Sequence, residues 1–209
     1  MGLISLLFSN PGVFIALVVL LLYSVIAHEV AHGWVAYLFG DDTARRCGRL
    51  TLNPASHIDF IGALMLFIVG FGWAKPVPVN YYNLKNSRFA IMSVALAGCT
   101  TNILIAVSAL FLLQFETISA STFYYSMLNI VARINIILGA FNLIPIPPLD
   151  GSKVLMSFLP QDAQQQLAKL EPYGFFILAI LLFTGLLNPV IGLMQNIIYG
   201  FIALLFKLF

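Results

Sequence analysis

The segment His28-Glu29-Val30-Ala31-His32 has the residue types and the spacing of a metal-dependent hydrolase. Its two histidines are about one helical turn apart, so both imidazoles lie on one face of a helix. Two nitrogens in that arrangement can bind one zinc ion, and the glutamate between them can act as a general base toward the attacking water. The alternative is that these are satisfied buried polar residues of a helix bundle.

A tetrahedral catalytic zinc usually has three protein ligands and one open position, so two histidines leave the site one ligand short. The candidates for the third ligand are His57, Asp59, Glu116, Asp150, Cys47 and Cys99. Asp150 stands out because it follows a proline cluster formed by Pro145, Pro147 and Pro148. Prolines stop a helix, and unwound chain at membrane depth persists only inside protein or beside a watery cavity. A solvated turn before Gly151 is the alternative for this aspartate.

The elements that position these residues are predicted to lie in a membrane. The chain has 209 residues, of which 61% are hydrophobic and 9% charged, and its mean hydropathy is +0.98. Soluble domains have about 45–50% apolar and about 25% charged residues. This composition excludes a soluble enzyme and a disordered chain, and a net charge of +2 gives no basic surface for nucleic acid. Ionisable residues within a membrane helix are costly, which favours a functional site over buried packing residues.

We predict an all-α polytopic membrane protein that forms a single integral-membrane domain over residues 1–209. It has a three-helix catalytic core, a short or re-entrant hydrophobic segment, a small β-like loop on the membrane side and a C-terminal helical hairpin. The predicted spans are 11–39, 89–115, 123–144, 173–187 and 189–206. Segment 173–187 is only marginally long enough, because a span needs about 20 apolar residues.

The shared metal site requires that segment 61–73 does not cross the membrane. His28 and His32 lie toward the end of the first span and Asp150 just after the third, so both ends must face one side. The shortness of 61–73 and its three glycines (Gly62, Gly70 and Gly72) agree with a re-entrant or non-crossing path. The basic residues of the loops then share that side: Arg45, Arg46, Arg49, Lys75, Lys85, Arg88, Lys153 and Lys169. The positive-inside rule therefore predicts a cytoplasmic active site and an N-terminus outside.

Several further motifs follow HExxH in order along the chain. They are Gly48-Arg49-Leu50-Thr51-Leu52-Asn53-Pro54, His57-Ile58-Asp59, Gly72-Trp73-Ala74-Lys75-Pro76-Val77-Pro78-Val79, and Ala97-Gly98 through Asn102. Together with the proline-rich Leu149-Asp150-Gly151, this pattern resembles the site-2 protease family of intramembrane zinc metalloproteases, peptidase family M50. The resemblance covers about residues 15–160 and is to the minimal short bacterial-type class, without PDZ-type or CBS-type domains. Cys99 departs from it, because the family commonly has proline there.

The resemblance implies that His28, His32 and Asp150 hold one catalytic Zn²⁺ and that Glu29 is the catalytic acid and base. It implies that Asn102 is catalytic, either polarising the scissile carbonyl or orienting the substrate backbone. A polar helix-packing role is the alternative for Asn102.

The implied activity is hydrolysis of peptide bonds in or near transmembrane segments of membrane-anchored protein substrates, as in regulated intramembrane proteolysis. The implied location is the cell (inner) membrane, with the lipid bilayer as surroundings and no nucleic-acid partner, and the oligomeric state stays open. The rival hypothesis is a non-hydrolytic metal-binding membrane protein such as a transporter or scaffold. A transporter would spread its polar residues along a path through several spans, whereas here they cluster near one face.

A transmembrane substrate must unwind before it is cut, and its freed backbone groups need partners. Residues 43–53 have short strand-like portions, so we expect them to offer an edge to which the unwound substrate adds. The predicted substrate-binding residues are Arg49, Leu50, Thr51, Leu52 and Asn53. An ordinary amphipathic loop is the alternative. We expect a structural loop role for His57, with a further site residue as the alternative, and a packing role for Asn142, with catalysis as the alternative. Arg133 either snorkels to the outer interface or lines a polar cavity.

Overall fold

The computed structural model describes residues 8–9, 11–69, 74–84 and 88–207. Four residues used in the sequence predictions, Gly70, Gly72, Trp73 and Lys85, lie outside the described residues.

The described chain is helical, and the prediction of an all-α protein is confirmed. Its helices are α1 (Pro11–Leu38), α2 (Thr43–Arg46), α3 (Phe60–Val69), α4 (Arg88–Leu112), α5 (Glu116–Ser119), α6 (Thr122–Asn142), α7 (Asp150–Phe158), α8 (Gln161–Ala168), α9 (Glu171–Phe183) and α10 (Asn188–Lys207). Two short 3₁₀ turns, Pro54–Ser56 and Tyr81–Asn83, precede α3 and α4. The prediction of a β-like loop is wrong for the described residues, which contain no strand. Thr43–Arg46 forms a helical turn instead, because alanine and arginine favour a helix.

Four of these helices, α1, α4, α6 and α10, are long and apolar enough to span a membrane. The α9 helix has 13 residues, about 20 Å, and falls short of a hydrocarbon core of about 30 Å. It reaches the required length only together with the helix before it, from which it is bent by 63°. The protein is therefore a multi-pass membrane protein with four such helices in its described part, or five if this bent pair is one span.

Helix α4 lies at the middle of the bundle, where it packs against α1, α6 and α7. Small residues let these helices approach closely, and they dominate the buried side of α4. The buried alanines of this helix are Ala90, Ala95, Ala97, Ala106 and Ala109. The three-helix core of α1, α4 and α6 agrees with the predicted architecture and gives the predicted metal ligands a rigid support.

Helix α3 has 10 residues, about 15 Å, which is half of what a spanning helix needs. The chain before and after it is joined by a backbone hydrogen bond, because the N–H of Lys75 donates to the carbonyl of His57 at 2.8 Å. The two ends of the intervening segment therefore lie side by side. That arrangement favours the predicted non-crossing path of residues 61–73, which stays a prediction.

An unwound link of residues 143–149 joins α6 to the start of α7 and delivers Asp150. Two of its N–H groups donate hydrogen bonds within the link. The N–H of Ile146 donates to the Ile144 carbonyl at 2.8 Å, and the N–H of Leu149 donates to the Ile146 carbonyl at 2.9 Å. Gly151 lies directly on this link, since a Cβ there would come within 2.6 Å of the Ile144 carbonyl oxygen. The glycine after Asp150 therefore lets α7 begin against the link.

Candidate active site

The structure brings His28, His32 and Asp150 to one point. The two histidines lie on α1, and Asp150 is the first residue of α7. The two Nε2 atoms are 3.1 Å apart, and each lies 3.1 Å from Oδ2 of Asp150. Both histidines are buried and the aspartate is half-buried. In the described ranges this is the one group of three such side chains close enough to share a metal ion.

The hydrogen bonds of the two imidazoles fix which nitrogen carries the proton. Nδ1 of His28 lies 2.6 Å from Oδ1 of Asn102, and Nδ1 of His32 lies 2.7 Å from the carbonyl oxygen of Val94. These oxygens are acceptors, so each Nδ1 donates and each Nε2 keeps a free lone pair. A carbonyl or amide oxygen on the far nitrogen is the usual way to orient a metal-binding histidine.

With both imidazoles neutral, two Nε2 lone pairs and a carboxylate oxygen face one another at this point, an arrangement that is repulsive unless a proton or a metal ion lies between them. Tetrahedral zinc with bonds of about 2.0–2.2 Å places its protein donors about 3.3–3.5 Å apart. The observed separations of 3.1 Å are close to that range. The residues therefore fit a zinc ion in number, type and spacing, and their role as ligands stays a prediction.

A chain of buried amides and a hydroxyl supports His28 from behind. The amide of Asn102 donates to Oδ1 of Asn135 at 2.8 Å, and the amide of Asn135 donates to Oγ of Ser24 at 2.9 Å. Both asparagines are fully buried. Asn135 and Ser24 were not among the residues predicted from the sequence, although an asparagine within an apolar span is itself a signal of function. The structure places Asn102 against His28, and its predicted contact with substrate stays a prediction.

Helix α4 approaches His28 and His32 through a residue without a side chain. A Cβ at Gly98 would lie 2.5 Å from Nε2 of His28 and closer still to Nε2 of His32. The neighbouring Cys99 is buried, and its Sγ lies 3.9 Å from Oδ2 of Asp150. The glycine thus leaves the room that the two imidazoles occupy.

Glu29 faces a different partner from its two histidine neighbours. Its Oε2 accepts a hydrogen bond from the backbone N–H of Val77 at 2.9 Å. No hydrogen bond to Oε1 is present among the described residues, and the glutamate is not part of the group formed by His28, His32 and Asp150. One carboxylate oxygen is therefore anchored while the other remains free, as a general base requires.

The predicted substrate-binding residues divide into buried and exposed ones. Arg49 is buried, and its Nη2 donates to the carbonyls of Lys75 at 2.6 Å and Pro76 at 3.2 Å. Leu50 packs over α1, where it is the nearest side chain to Gly33. By contrast, the Leu52 side chain is 57% exposed.

The remaining members of this loop hold its shape. The Thr51 carbonyl accepts from Nε2 of His57 at 2.8 Å, and Asn53 accepts from the N–H of Ala55 at 3.1 Å. His57 is fully buried, which agrees with its predicted structural role. In α6, Asn142 donates to the Leu138 carbonyl of its own helix at 3.0 Å.

Two charged residues lie outside the group formed by His28, His32 and Asp150. Arg133 is exposed on α6, so it does not line a cavity within the protein. Asp41 is buried just after α1, where it accepts hydrogen bonds from the N–H of Asn80 at 2.7 Å and the side chain of Asn83 at 2.8 Å. Burial alone would raise the pKa of Asp41, but these bonds and those from Thr43 outweigh it and lower that pKa.

The fold and the site together define a membrane-embedded metalloprotein of the HExxH class. The family described as "Peptidase family M50" matches residues 115–185, which contain Asp150. "Putative zinc metalloprotease YwhC" of Bacillus subtilis is 40% identical over 187 residues, covering 86% of this chain and 85% of the relative. "Putative zinc metalloprotease Rip2" of Mycolicibacterium smegmatis is 31% identical over 188 residues, covering 86% of this chain and 71% of the relative.

A more distant relative is "Zinc metalloprotease MJ0392" of Methanocaldococcus jannaschii, which is 27% identical over 157 residues, covering 75% of this chain and 38% of the relative. No solved structure matches the chain significantly. The chain belongs to peptidase family M50, which confirms the resemblance predicted from its motifs.

Proposed function

We propose that the protein is a zinc metalloendopeptidase of the site-2 type, which hydrolyses peptide bonds in or near the transmembrane segments of membrane-anchored proteins. The observation that carries this proposal is the meeting of His28, His32 and Asp150 at 3.1 Å separations, with Glu29 on the same helix. Membership of a peptidase family and the names of its relatives support the choice of zinc and of peptide hydrolysis.

The four side chains divide the reaction between them. His28, His32 and Asp150 would hold the zinc ion, which when bound lowers the pKa of a water and polarises the scissile carbonyl. Glu29 then takes a proton from the attacking water and returns it to the leaving amine. The hydrogen bond from Val77 holds one oxygen of Glu29, so the other can face the water.

The buried position of the site supports a substrate that arrives within the bilayer. The metal-binding histidines lie on α1, the first of the four helices that are long and apolar enough to span a membrane. A polar cleft from one side must admit water, and the distribution of basic residues favours the cytoplasmic side. We therefore place the protein in the cell (inner) membrane with its N-terminus outside. The same clustering of polar groups at one point argues against a transport path.

A purified, detergent-solubilised protein and a membrane-anchored reporter peptide test the proposal. We expect cleavage by the wild type, and its loss in Glu29→Gln with zinc content unchanged. The matched control is Glu116→Gln, which changes an exposed glutamate outside the site and should leave cleavage intact. Cleavage that persists in purified Glu29→Gln protein, or after zinc is removed by a chelator, would refute the assignment.

Orientation needs a separate measurement, for which the chain offers its own probe. Cys47 is exposed directly after α2, whereas Cys99 is buried. A membrane-impermeant thiol reagent should label Cys47 in inside-out vesicles and not in right-side-out vesicles. Ser119→Cys in a Cys47→Ser background should show the opposite pattern. Labelling of Cys47 from outside would overturn the predicted topology.

A further inference from the structure

Arg49 is a buried charge that the proposed mechanism does not use. The side chain is 8% exposed, and in the described residues no carboxylate lies within ion-pair distance of it. Its Nη2 donates to the carbonyls of Lys75 and Pro76, while its Nε has no partner within the described part of the chain. Burying a guanidinium is costly, so its position calls for a function. The hydrogen bonds indicate that this function is to hold residues 75 and 76.

Residues 74–80, which we call the strap, run in an irregular, non-helical path past Glu29. The strap is fixed at both ends, because the N–H of Lys75 donates to the His57 carbonyl at 2.8 Å and the N–H of Asn80 donates to Oδ2 of Asp41 at 2.7 Å. Between these anchors, the N–H of Val77 donates to Oε2 of Glu29 at 2.9 Å. The strap thus carries a single backbone donor to the proposed general base.

The sequence of the strap makes that donor unique at its position. Pro76 and Pro78 flank Val77, and proline has no N–H, so Val77 supplies the one backbone donor of residues 76–78. Val77 is itself buried against α1 beside Gly33. Arg49 binds the two carbonyls immediately before this N–H. Its contacts therefore fix the part of the strap that reaches Glu29.

An indirect arrangement has a chemical advantage over a direct contact between Arg49 and Glu29. A guanidinium binds a carboxylate through two parallel hydrogen bonds, and such a pair would occupy both oxygens of the general base. A backbone N–H occupies one oxygen and leaves the other for the attacking water. Arg49 can thus contribute rigidity without competing for the water-binding oxygen.

We propose that Arg49 is a positioning residue that acts through the strap, holding residues 75 and 76 so that the Val77 N–H fixes the Glu29 carboxylate. This inference rests on the proposed function of Glu29. It gives Arg49 a role different from the substrate contact that the sequence predicts. A substrate-contacting residue would change KM, whereas a positioning residue for the general base changes kcat.

The most direct test replaces the Val77 amide by an ester in the full-length protein, using α-hydroxyisovaleric acid in cell-free synthesis. This removes the N–H and keeps the side chain. Because hydrogen bonds to charged groups are the strong ones, we expect kcat to fall about 10- to 100-fold, with KM and zinc content unchanged. The matched control is the same replacement at Val79, whose N–H has no hydrogen-bond partner in the described ranges, and which should keep wild-type kcat.

Arg49→Gln supplies the second arm. We expect a similar fall in kcat, and little further loss when Arg49→Gln is combined with the Val77 ester, because both changes remove the same contact. Independent, multiplicative losses would overturn the proposal, as would a rise in KM with unchanged kcat. A Val77 ester with wild-type activity would also overturn the proposal. An ester with increased activity would overturn it too, and would indicate that the strap inhibits the enzyme. An inactive wild type, or active Glu29→Gln protein, would instead refute the proposed function itself.

Discussion

Gly98→Ala tests how tightly helix α4 confines the metal site. The added Cβ would lie 2.5 Å from Nε2 of His28, whereas ordinary van der Waals contact begins at 3.4 Å. Either the imidazoles or the backbone of α4 must therefore move by about 1 Å to restore normal contact. Zinc–ligand distances tolerate deviations of only about 0.2 Å, so a shift of that size in two ligands disrupts the site.

The expected loss follows from these distances. Misplacing a single metal-orienting group costs about 10- to 100-fold in metal affinity, and here two histidines are affected. We expect zinc affinity to fall by at least about 100-fold, equivalent to about 2.8 kcal/mol. If α4 moves instead, overpacking lowers the free energy of unfolding by about 1–3 kcal/mol. Reporter cleavage is expected to disappear in the first case and to fall in the second.

The assay is a competition titration of purified protein against a zinc chelator of known affinity, with reporter cleavage and thermal unfolding measured in parallel. Gly139→Ala is the matched control, because a Cβ at this buried glycine would meet its nearest neighbour, the Cys99 carbonyl oxygen, at 3.6 Å. That variant should keep wild-type zinc affinity. Wild-type zinc affinity, stability and cleavage in Gly98→Ala would refute the predicted close packing of α4 on the histidines.

Three further outcomes follow from the same contacts. Asn102→Ala removes the acceptor of His28 and the donor to Asn135, so zinc affinity should fall about 10- to 100-fold in the chelator titration; unchanged affinity would contradict the orienting role. Because the folded-state pKa of Asp41 lies below its ordinary value of 3.8, its stabilisation is complete above that pH and is lost as the pH falls through the lower folded value. Thermal unfolding between pH 6 and pH 3 should therefore show a smaller acid-induced loss in Asp41→Asn than in the wild type. Zinc at about 1,000 times its Kd should stabilise the wild type by about 4 kcal/mol, and a chelator should reverse this shift in Tm.

The meeting of His28, His32 and Asp150 at one point could be predicted because its signals are local. The spacing of His28 and His32 fixes a common helix face, and the prolines before Asp150 mark a chain that cannot continue α6. Both signals depend on neighbours in sequence, not on packing. The all-helical class follows in the same way from composition and the lengths of the apolar segments.

The contacts that were not predicted from the sequence depend on tertiary packing, which sets the faces that the helices and loops turn toward one another. Asn135 and Ser24 are 111 positions apart, and only the packing of α6 against α1 brings their side chains together at 2.9 Å. The short strand-like portions expected within residues 43–53 are absent from the described structure, where Thr43–Arg46 forms a short helix after Asp42. The contact of Val77 with Glu29 spans 48 positions and depends on a segment whose path no periodicity encodes.

The charges around the site explain why its supporting groups are neutral. With the proposed Zn²⁺ bound, the two positive charges balance the carboxylates of Glu29 and Asp150. An additional buried charge would be uncompensated in a low-dielectric region, where the cost is several kcal/mol. The groups that contact these residues in the described structure are an asparagine amide, a backbone carbonyl, a backbone N–H and a thiol. Arg49, a nearby buried cation, binds only carbonyls among the described residues, so its charge stays one step away from the reacting groups. The site is therefore positioned by dipoles, which orient the histidines and the glutamate without altering this charge balance.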